Sequence, residues 1–185
     1  MRSSADVERA LASAADAVLH AAAPYEDAVI LIDGRSGAGK STLARIVTAR
    51  RGGELLALDS VYPGWDGLDA GVRLVTDGVL RPRKAGRAGR WHRWDWDRHR
   101  TAEAHDVPAE GTLVVEGSGI LTPESRALSD VQVWLESPAI SRRRRALDRD
   151  GDVYRPHWDQ WAAQEEAHLR AHDPAALASV VIVVP

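Results

Sequence analysis

The sequence predicts an α/β protein with a mostly parallel, five-stranded sheet that is flanked by helices. Two observations support this fold class. Short apolar runs alternate with helical segments along the 185 residues, and three of these runs end beside Gly34, Asp59 and Glu116. Because the carboxyl ends of parallel strands meet at one edge of a sheet, ligands are expected next to these three residues. The predicted strands are residues 28–32, 55–58, 113–115, 131–135 and 180–184.

The helical segments follow from apolar spacing and from residues that end a helix. Residues 3–22 predict an alanine-rich amphipathic helix, which ends before Pro24. A second helix is expected over 40–51, because Gly52 and its glycine neighbour stop it. The chain is predicted to be a single domain, 1–185, with an N-terminal helix (1–24), a substrate-binding insertion (64–107) and an arginine-rich lid (138–155).

Residues 34–42 match the phosphate-binding pattern G-x-x-x-x-G-K-[ST] without a mismatch, directly after the first predicted strand. The glycines allow successive N–H groups to point at one phosphate, and the following helix adds the positive end of its dipole. Lys40 is placed to reach the β- and γ-phosphates, and Ser41 to hold Mg²⁺. The alternative, a glycine-rich turn without a ligand, is disfavoured by the complete match. The predicted nucleotide-binding residues are Gly34, Ser36, Gly37, Ala38, Gly39, Lys40, Ser41 and Thr42.

Lysine usage points to the same loop. Of the 24 basic residues only Lys40 and Lys84 are lysines. A chain that otherwise uses arginine keeps a compact ammonium here, where a planar guanidinium would not fit. This favours a functional Lys40.

Two acidic residues directly follow predicted strands. Asp59 is positioned to face a γ-phosphate and to take the proton from an attacking hydroxyl. Glu116 stands where an acid that holds Mg²⁺, directly or through water, is expected. The alternatives are a cap or turn role for Asp59 and a solvated strand-end role for Glu116. We interpret both as functional because they accompany the phosphate-binding loop.

Four consecutive arginines, residues 142–145, are followed by Arg149 in a helical segment. Successive residues of a helix point in different directions, so at most two of the four face one ligand. Arg145 and Arg149 share a face, which Arg142 joins, and they are candidates to neutralise charge on a transferred phosphate. For the other two arginines a solvated basic face is preferred.

Tryptophan alternates with charged residues in the segment 91–98, and Tyr62 and Trp65 precede it. Flat apolar rings beside carboxylates suit a polyol or a nucleoside, since rings stack and carboxylates accept hydrogen bonds from hydroxyls. The basic residues of 81–100 leave two alternatives open: a phosphorylated acceptor, and single-stranded nucleic acid. The predicted acceptor contacts are Tyr62, Trp65, Arg93, Trp94 and Asp95.

In their order and spacing, these motifs resemble the P-loop small-molecule kinases, and most closely the uridine kinase-like group. The resemblance is carried by residues 34–42, 59–62 and 114–117 and by the arginines that end at Arg149. It implies a three-layer P-loop NTPase fold and ATP with Mg²⁺ as the phosphoryl donor. It also implies Asp59 as the base, lid arginines over the phosphates and a substrate-contacting segment around Asp95. The arginine spacing before Arg149 and the tryptophan-rich middle of the chain depart from the pattern of these kinases.

Composition narrows the remaining classes. A net charge of −3 argues against bulk attraction to nucleic acid, and the chain has no cysteine for a thiolate site. The absence of asparagine disfavours a GTPase with an N-K-x-D guanine reader. The longest apolar runs are too short to span a membrane, and the acidic residues near the start are atypical of a signal peptide. We therefore expect a cytoplasmic kinase.

The expected partner is a small-molecule phosphate acceptor, and a homodimer stays open. A non-catalytic or regulatory ATP-binding protein or ATPase, in contact with single-stranded nucleic acid, is the alternative function. The presence of both Asp59 and Glu116 in the sequence favours the kinase.

Overall fold

The five predicted strands form one sheet in the order β2-β5-β1-β6-β7, and every neighbouring pair is parallel. This computed structural model describes residues 4–185. An additional antiparallel hairpin pairs β3 with β4. The strands are β1 (Val29–Gly34), β2 (Glu54–Ala57), β3 (Gly89–Asp95), β4 (Arg100–Val107), β5 (Leu113–Glu116), β6 (Val131–Glu136) and β7 (Val180–Val183).

Helices lie on both faces of the sheet, which confirms the predicted three-layer α/β fold. A short 3₁₀ turn (Leu58–Ser60) follows β2, and a second one (Arg155–His157) joins α6 to α7. The helices are α1 (Ser4–Ala22), α2 (Lys40–Arg51), α3 (Leu68–Val75, continued by a π turn over Thr76–Leu80), α4 (Arg81–Lys84), α5 (Pro123–Ala127), α6 (Ala139–Tyr154), α7 (Trp158–His172) and α8 (Pro174–Leu177).

Strand β1 lies at the centre of the sheet and is buried along its whole length. Its side chains alternate between two cores, as expected for a pleated strand. Ile30 and Ile32 pack in the core that contains residues of α1 and α2. Leu31 packs in the opposite core with residues of α3 and Trp161 of α7. Burial on both faces explains why this strand is apolar throughout.

The register of the sheet brings the predicted site residues to one edge. In the parallel pairing Ile32 lies opposite Glu116, which in turn lies opposite Ala57 of β2. Gly34 lies opposite Leu135 of β6. The loops after β1, β2 and β5 therefore leave the sheet side by side, as the strand ends predicted.

The hairpin β3–β4 contains the two strands that the sequence analysis did not predict. Most of its residues are exposed or only half-buried on both faces, so its sequence lacks the apolar alternation that identifies a half-buried strand. Residues 64–107, the expected insertion, consist of α3, α4 and this hairpin. Within residues 4–185, no helix combines the length and the apolar character needed to cross a membrane.

Candidate functional site

A cleft of about 800 Å³ opens at the carboxyl edge of the sheet. The phosphate-binding loop, residues 34–42, is called the P-loop here. One part of the cleft, the P-loop half, is lined mainly by P-loop residues between 36 and 42 and by Arg45, Glu116, Ser118, Arg145 and Arg149. The other part, here called the aromatic half, is lined mainly by Trp65, Trp96, Asp97, His99, Tyr154, His157 and Trp161.

The backbone of the P-loop has the shape of a phosphate cradle. Gly37 and Gly39 have φ of 78° and 107°, in the left-handed region that favours glycine. A Cβ at Gly37 would lie 2.1 Å from the carbonyl oxygen of Arg142, so the loop packs directly against α6. Helix α2 begins at Lys40 without a side-chain cap from the described residues. Its first N–H groups are therefore available to an anion.

Lys40 is buried and is held in the P-loop half by two acceptors. Its ammonium donates to the Ser118 hydroxyl at 3.2 Å and to the carbonyl oxygen of Arg35 at 3.3 Å. Only 9% of Lys40 is exposed, so its charge faces the cleft rather than bulk solvent. This position fits a lysine that contacts phosphate oxygens.

Glu165 of α7 supports this loop from behind, and the sequence analysis missed it. Its Oε1 accepts a hydrogen bond from the Ser36 N–H at 2.6 Å and from the Ser118 hydroxyl at 3.0 Å. Its Oε2 accepts from Nε of Arg35 at 3.2 Å. Because Ser118 also contacts Lys40, this buried carboxylate joins α7 to the P-loop and to its lysine. No motif marks Glu165, since it lies far along the chain from the loop.

Asp33, the residue before the P-loop, was also missed. Its buried carboxylate accepts hydrogen bonds from the N–H groups of Gly34, Gly119 and Leu121, at 2.6, 2.9 and 2.8 Å. Nε2 of His168 lies 3.3 Å from the same carboxylate. Asp33 thus fixes the start of the P-loop relative to the loop after β5. Its place between an apolar strand and a glycine was the signal available in the sequence.

Glu116 lies beside the P-loop in a site that suits a divalent cation. It is only 4% exposed, and burial raises its pKa; the charge of Asp59 acts in the same direction. The ammonium of Lys40 and a hydrogen bond from Ser41 act against this shift. The Ser41 hydroxyl and the Glu116 carboxylate therefore lie together, and hard oxygen donors of this kind are what Mg²⁺ prefers. The described residues hold no cluster of three His, Asp or Glu suited to a metal, so phosphate and water oxygens would complete the shell.

Asp59 lies where the two halves of the cleft meet. It follows β2 in the 3₁₀ turn, and its backbone carbonyl accepts a hydrogen bond from Nε1 of Trp96 at 2.9 Å. Burial raises the pKa of Tyr154, as it does that of Glu116, and the charge of Asp59 adds to both shifts. Within residues 4–185 its exposed carboxylate makes no hydrogen bond or salt bridge. It is therefore free to act on a ligand.

The predicted arginines divide into two groups. Arg145 and Arg149 line the cleft: Nε of Arg145 donates to the Gly37 carbonyl at 2.8 Å, and Arg149 pairs with Asp150 at 2.6 Å. Arg142 is instead buried and donates to the carbonyl oxygen of Ser36 at 3.2 Å, so it anchors the loop. These arginines belong to α6, and the movement of this helix as a lid stays a prediction.

The aromatic half is built around Trp65. Its ring stacks on His157 at a centroid distance of 4.3 Å and lies nearly parallel to Tyr154 at 5.5 Å. Trp96 lies 4.8 Å away in a tilted arrangement, and Trp161 meets Trp65 edge to face at 6.4 Å. Side chains from the insertion and from the α6–α7 junction therefore form one wall.

Tyr62 does not occupy the position that the sequence analysis assigned to it. It is 1% exposed, its hydroxyl donates to the carbonyl oxygen of Ser118 at 2.8 Å, and its ring packs edge to face on Trp161. Burial raises its pKa well above the ordinary range, as the nearby carboxylates also do. Tyr62 is a core residue beneath the cleft, because the turn after β2 directs it inward.

Three further acceptor candidates lie away from the cleft lining. Arg93 pairs with Glu103 across the hairpin, and this hydrogen bond lowers the pKa of Glu103 to about 2. Asp95 is 8% exposed and accepts hydrogen bonds from the backbone and the side chain of Arg98. Trp94 is half-buried in β3. The strand ends at Asp95, so the tip of the hairpin that follows it presents Trp96, Asp97 and His99 to the cleft instead.

The lysines and arginines of 81–100 also lie outside the cleft lining. They therefore do not support a phosphorylated acceptor in this cleft. Many already have partners: Arg81 pairs with Asp77, Arg90 with Asp106, and Arg98 with Asp95. Arg83 donates to the carbonyl oxygens of Pro108, Glu110 and Gly111. Four of the eight lysines and arginines of 81–100 therefore pair with carboxylates of the insertion itself.

Comparisons with known proteins identify the fold. No protein-family model and no curated protein matches the sequence. Among solved structures, a candidate uridine kinase from Bacillus stearothermophilus superposes with a TM-score of 0.66 at 20% identity, over 95% of this chain and 98% of that one. A candidate fructose transport system kinase from Silicibacter sp. TM1040 gives 0.55 at 21% identity, over 92% and 98%. Shikimate kinase from Acinetobacter baumannii, in complex with shikimate, gives 0.50 at 20% identity, over 88% and 86%. The chain has the fold of the P-loop small-molecule kinases, as its motifs predicted.

Proposed function

We propose that this protein transfers the γ-phosphoryl group of ATP to a hydroxyl of a small molecule, with a nucleoside as the leading acceptor. The observation that carries the proposal is the position of Asp59. An unpaired carboxylate lies between a phosphate cradle and an aromatic-walled space within one cleft. A protein that only binds a nucleotide needs neither this carboxylate nor the second space.

The P-loop half would bind the donor. Backbone N–H groups of the loop and of the first turn of α2 point at the phosphates, and Lys40 contacts the β- and γ-oxygens. Ser41 and Glu116 would hold Mg²⁺, which offsets charge on the phosphate oxygens. Glu165 and Arg142 keep the loop in place by binding Ser36 from behind.

The chemical step uses Asp59 as a general base. The acceptor hydroxyl gives its proton to the Asp59 carboxylate while its oxygen forms a bond to the γ-phosphorus. The bond from that phosphorus to the β,γ-bridging oxygen breaks, and ADP leaves with the electron pair. Arg145 and Arg149 line the same cleft, where a guanidinium stabilises charge on the phosphoryl group in flight.

The aromatic half would bind the acceptor. Trp65, Trp96 and Trp161 present apolar ring surfaces there, and Asp97 offers a carboxylate to hydroxyl groups. The combination suits a molecule with a planar or apolar part and several hydroxyls. That description fits a nucleoside.

The experiment is a screen for phosphate acceptors with ATP consumption as the readout. Nucleosides, sugars and vitamin-like alcohols are each incubated with the protein, ATP and Mg²⁺, and hits are verified by the mass of a phosphorylated product. We expect turnover with one group of related alcohols. ATP hydrolysis that no alcohol accelerates, together with salt-sensitive oligonucleotide binding, would favour the alternative of a non-catalytic protein on single-stranded nucleic acid.

A further inference from the structure

The two halves of the cleft differ in the sign of their charges. The lysine and arginine side chains that line it all belong to the P-loop half: Lys40, Arg45, Arg145 and Arg149. Among the described residues, the aromatic half contributes no lysine or arginine, and it contributes one carboxylate, Asp97. The P-loop half suits the phosphates of a nucleotide, whereas the aromatic half suits a different kind of molecule.

Asp97 is available to a ligand in a way that its neighbour is not. Its side chain is exposed at the tip of the hairpin, and in residues 4–185 it forms neither a hydrogen bond nor a salt bridge. Asp95, two residues earlier, is by contrast occupied by Arg98. Asp59 is the second unpaired carboxylate at this end of the cleft.

Two unpaired carboxylates repel an anion and attract a cation. An acceptor that carries a phosphate or a carboxylate would lose hydration in the cleft and meet like charges, and the described residues of the aromatic half offer no lysine or arginine to compensate. A neutral or positively charged group gains instead, because tryptophan and tyrosine rings attract cations through their π faces. Trp65, Trp96 and Tyr154 line the same cleft as Asp97.

We propose that the aromatic half selects alcohols that carry no negative charge, and that Asp97 is the residue that excludes anionic acceptors. The inference rests on the proposed function, which it narrows to neutral or cationic hydroxyl compounds. It separates this site from one built for a sugar phosphate, a hydroxy acid or a nucleotide.

The test compares acceptors in pairs that differ in charge. One pair is a ribonucleoside and its 3′-monophosphate, and the other is an amino alcohol and the hydroxy acid of equal length. For each, kcat/KM is measured on the wild type, Asp97→Asn, Asp97→Lys and Asp106→Lys. Asp106 is the matched control, because it is an exposed aspartate of the same hairpin that pairs with Arg90 outside the cleft.

We expect the wild type to prefer the uncharged or cationic member of a pair by at least about tenfold, and Asp97→Lys to reduce this ratio by about tenfold. Asp97→Asn should lie between the two, and Asp106→Lys should leave the ratio unchanged. A wild-type preference for the anionic member would overturn the proposal, as would equal effects of Asp97→Lys and Asp106→Lys.

A binding measurement distinguishes a failure of the charge selection from a failure of the proposed kinase function. The same compounds are titrated against the intrinsic fluorescence of the tryptophans that line the aromatic half. Absence of turnover with every alcohol would refute the kinase, while an Asp97-dependent preference in binding would still support the charge selection. Stronger binding of the anionic member of each pair would refute the charge selection whatever the turnover.

Discussion

The P-loop half and the aromatic half of the cleft are built in opposite ways. The P-loop half consists of backbone N–H groups and buried ionic side chains. Its loops are held by hydrogen bonds that the carboxylates of Glu165 and Asp33 accept and that the guanidinium of Arg142 donates. The aromatic half consists of rings that meet across sequence-distant segments, from Trp65 to Trp161. Under the proposed function, the triphosphate is the same in every reaction and is bound by a fixed loop, whereas the acceptor is bound by a surface that loops and a hairpin assemble.

Of the four substitutions, the removal of Lys40 should have the largest effect on nucleotide binding and on phosphoryl transfer. Lys40→Ala deletes an ammonium that lines the cleft where we propose that the phosphates bind. We therefore expect the loss of detectable transfer and of the rise in Tm that we predict with ATP and Mg²⁺. Differential scanning fluorimetry with and without ATP checks this. The matched control is Lys84→Ala, which removes a lysine that lies outside this cleft. An ATP-dependent shift of wild-type size in Lys40→Ala would show that nucleotide binds elsewhere.

Asp59 tests the junction between the halves. Asp59→Asn keeps the shape of the side chain but removes the base, so turnover should fall by about 10²–10⁴-fold. ATP affinity should stay nearly intact, because within residues 4–185 this carboxylate makes no hydrogen bond or salt bridge to the P-loop half. Steady-state kinetics and the ATP-dependent shift in Tm measure the two effects separately. Turnover near the wild-type value would return Asp59 to a role in the turn after β2.

Substitution of Glu165 tests whether this carboxylate holds the P-loop in position. Glu165→Gln removes the charge that binds Ser36, Ser118 and Arg35, so we expect ATP affinity to fall by about tenfold while the KM for the acceptor changes little. Glu166→Gln is the control, since that neighbour is exposed and contacts Arg35 at 3.3 Å only on the surface. Equal losses in both variants, or a loss confined to the acceptor KM, would contradict a positioning role for Glu165.

Substitution of Glu116, the buried acid of the P-loop half, should have the smallest effect of the four, and its effect on Tm should depend on pH. Burial raises the pKa of folded Glu116, so the unfolded chain loses this proton first and stability falls as pH rises through the folded pKa. Glu116→Gln should therefore raise the Tm of the ligand-free protein at neutral pH, and this gain should vanish below about pH 4. It should also weaken the Mg²⁺-dependent part of ATP binding. A gain in Tm that is constant with pH would exclude the titration of Glu116 as its cause.

The sequence analysis predicted the P-loop half because its chemistry is local in the chain. Residues 34–42 are one continuous stretch of the chain, and Asp59 and Glu116 lie at the ends of strands whose apolar composition identifies them. The supporting contact of Glu165 could not be predicted, because only the packing of α7 brings it to the loop. The five-stranded sheet and the helices α1 and α2 could also be predicted, since buried strands and periodic helices leave strong patterns.

The aromatic half was predicted in composition but not in its residues. Trp65 was assigned to the cleft and lies there, whereas Tyr62 packs in the core and Arg93, Trp94 and Asp95 belong to the hairpin. An exposed hairpin has no apolar alternation, so its register and the place of its turn could not be derived. A shift of two residues at that turn decides which tryptophan and which aspartate face the ligand.

The proposed function requires that a donor bound in the P-loop half and an acceptor bound in the aromatic half react beside Asp59. Single-turnover transfer from ATP labelled at the γ-phosphate tests it most directly, with the wild type and Asp59→Asn compared on the best acceptor of the screen. We expect the label to move to the acceptor hydroxyl in the wild type. In Asp59→Asn the same transfer should be about 10²–10⁴-fold slower. Label recovered only as inorganic phosphate, or transfer at equal rates in the two proteins, would contradict it.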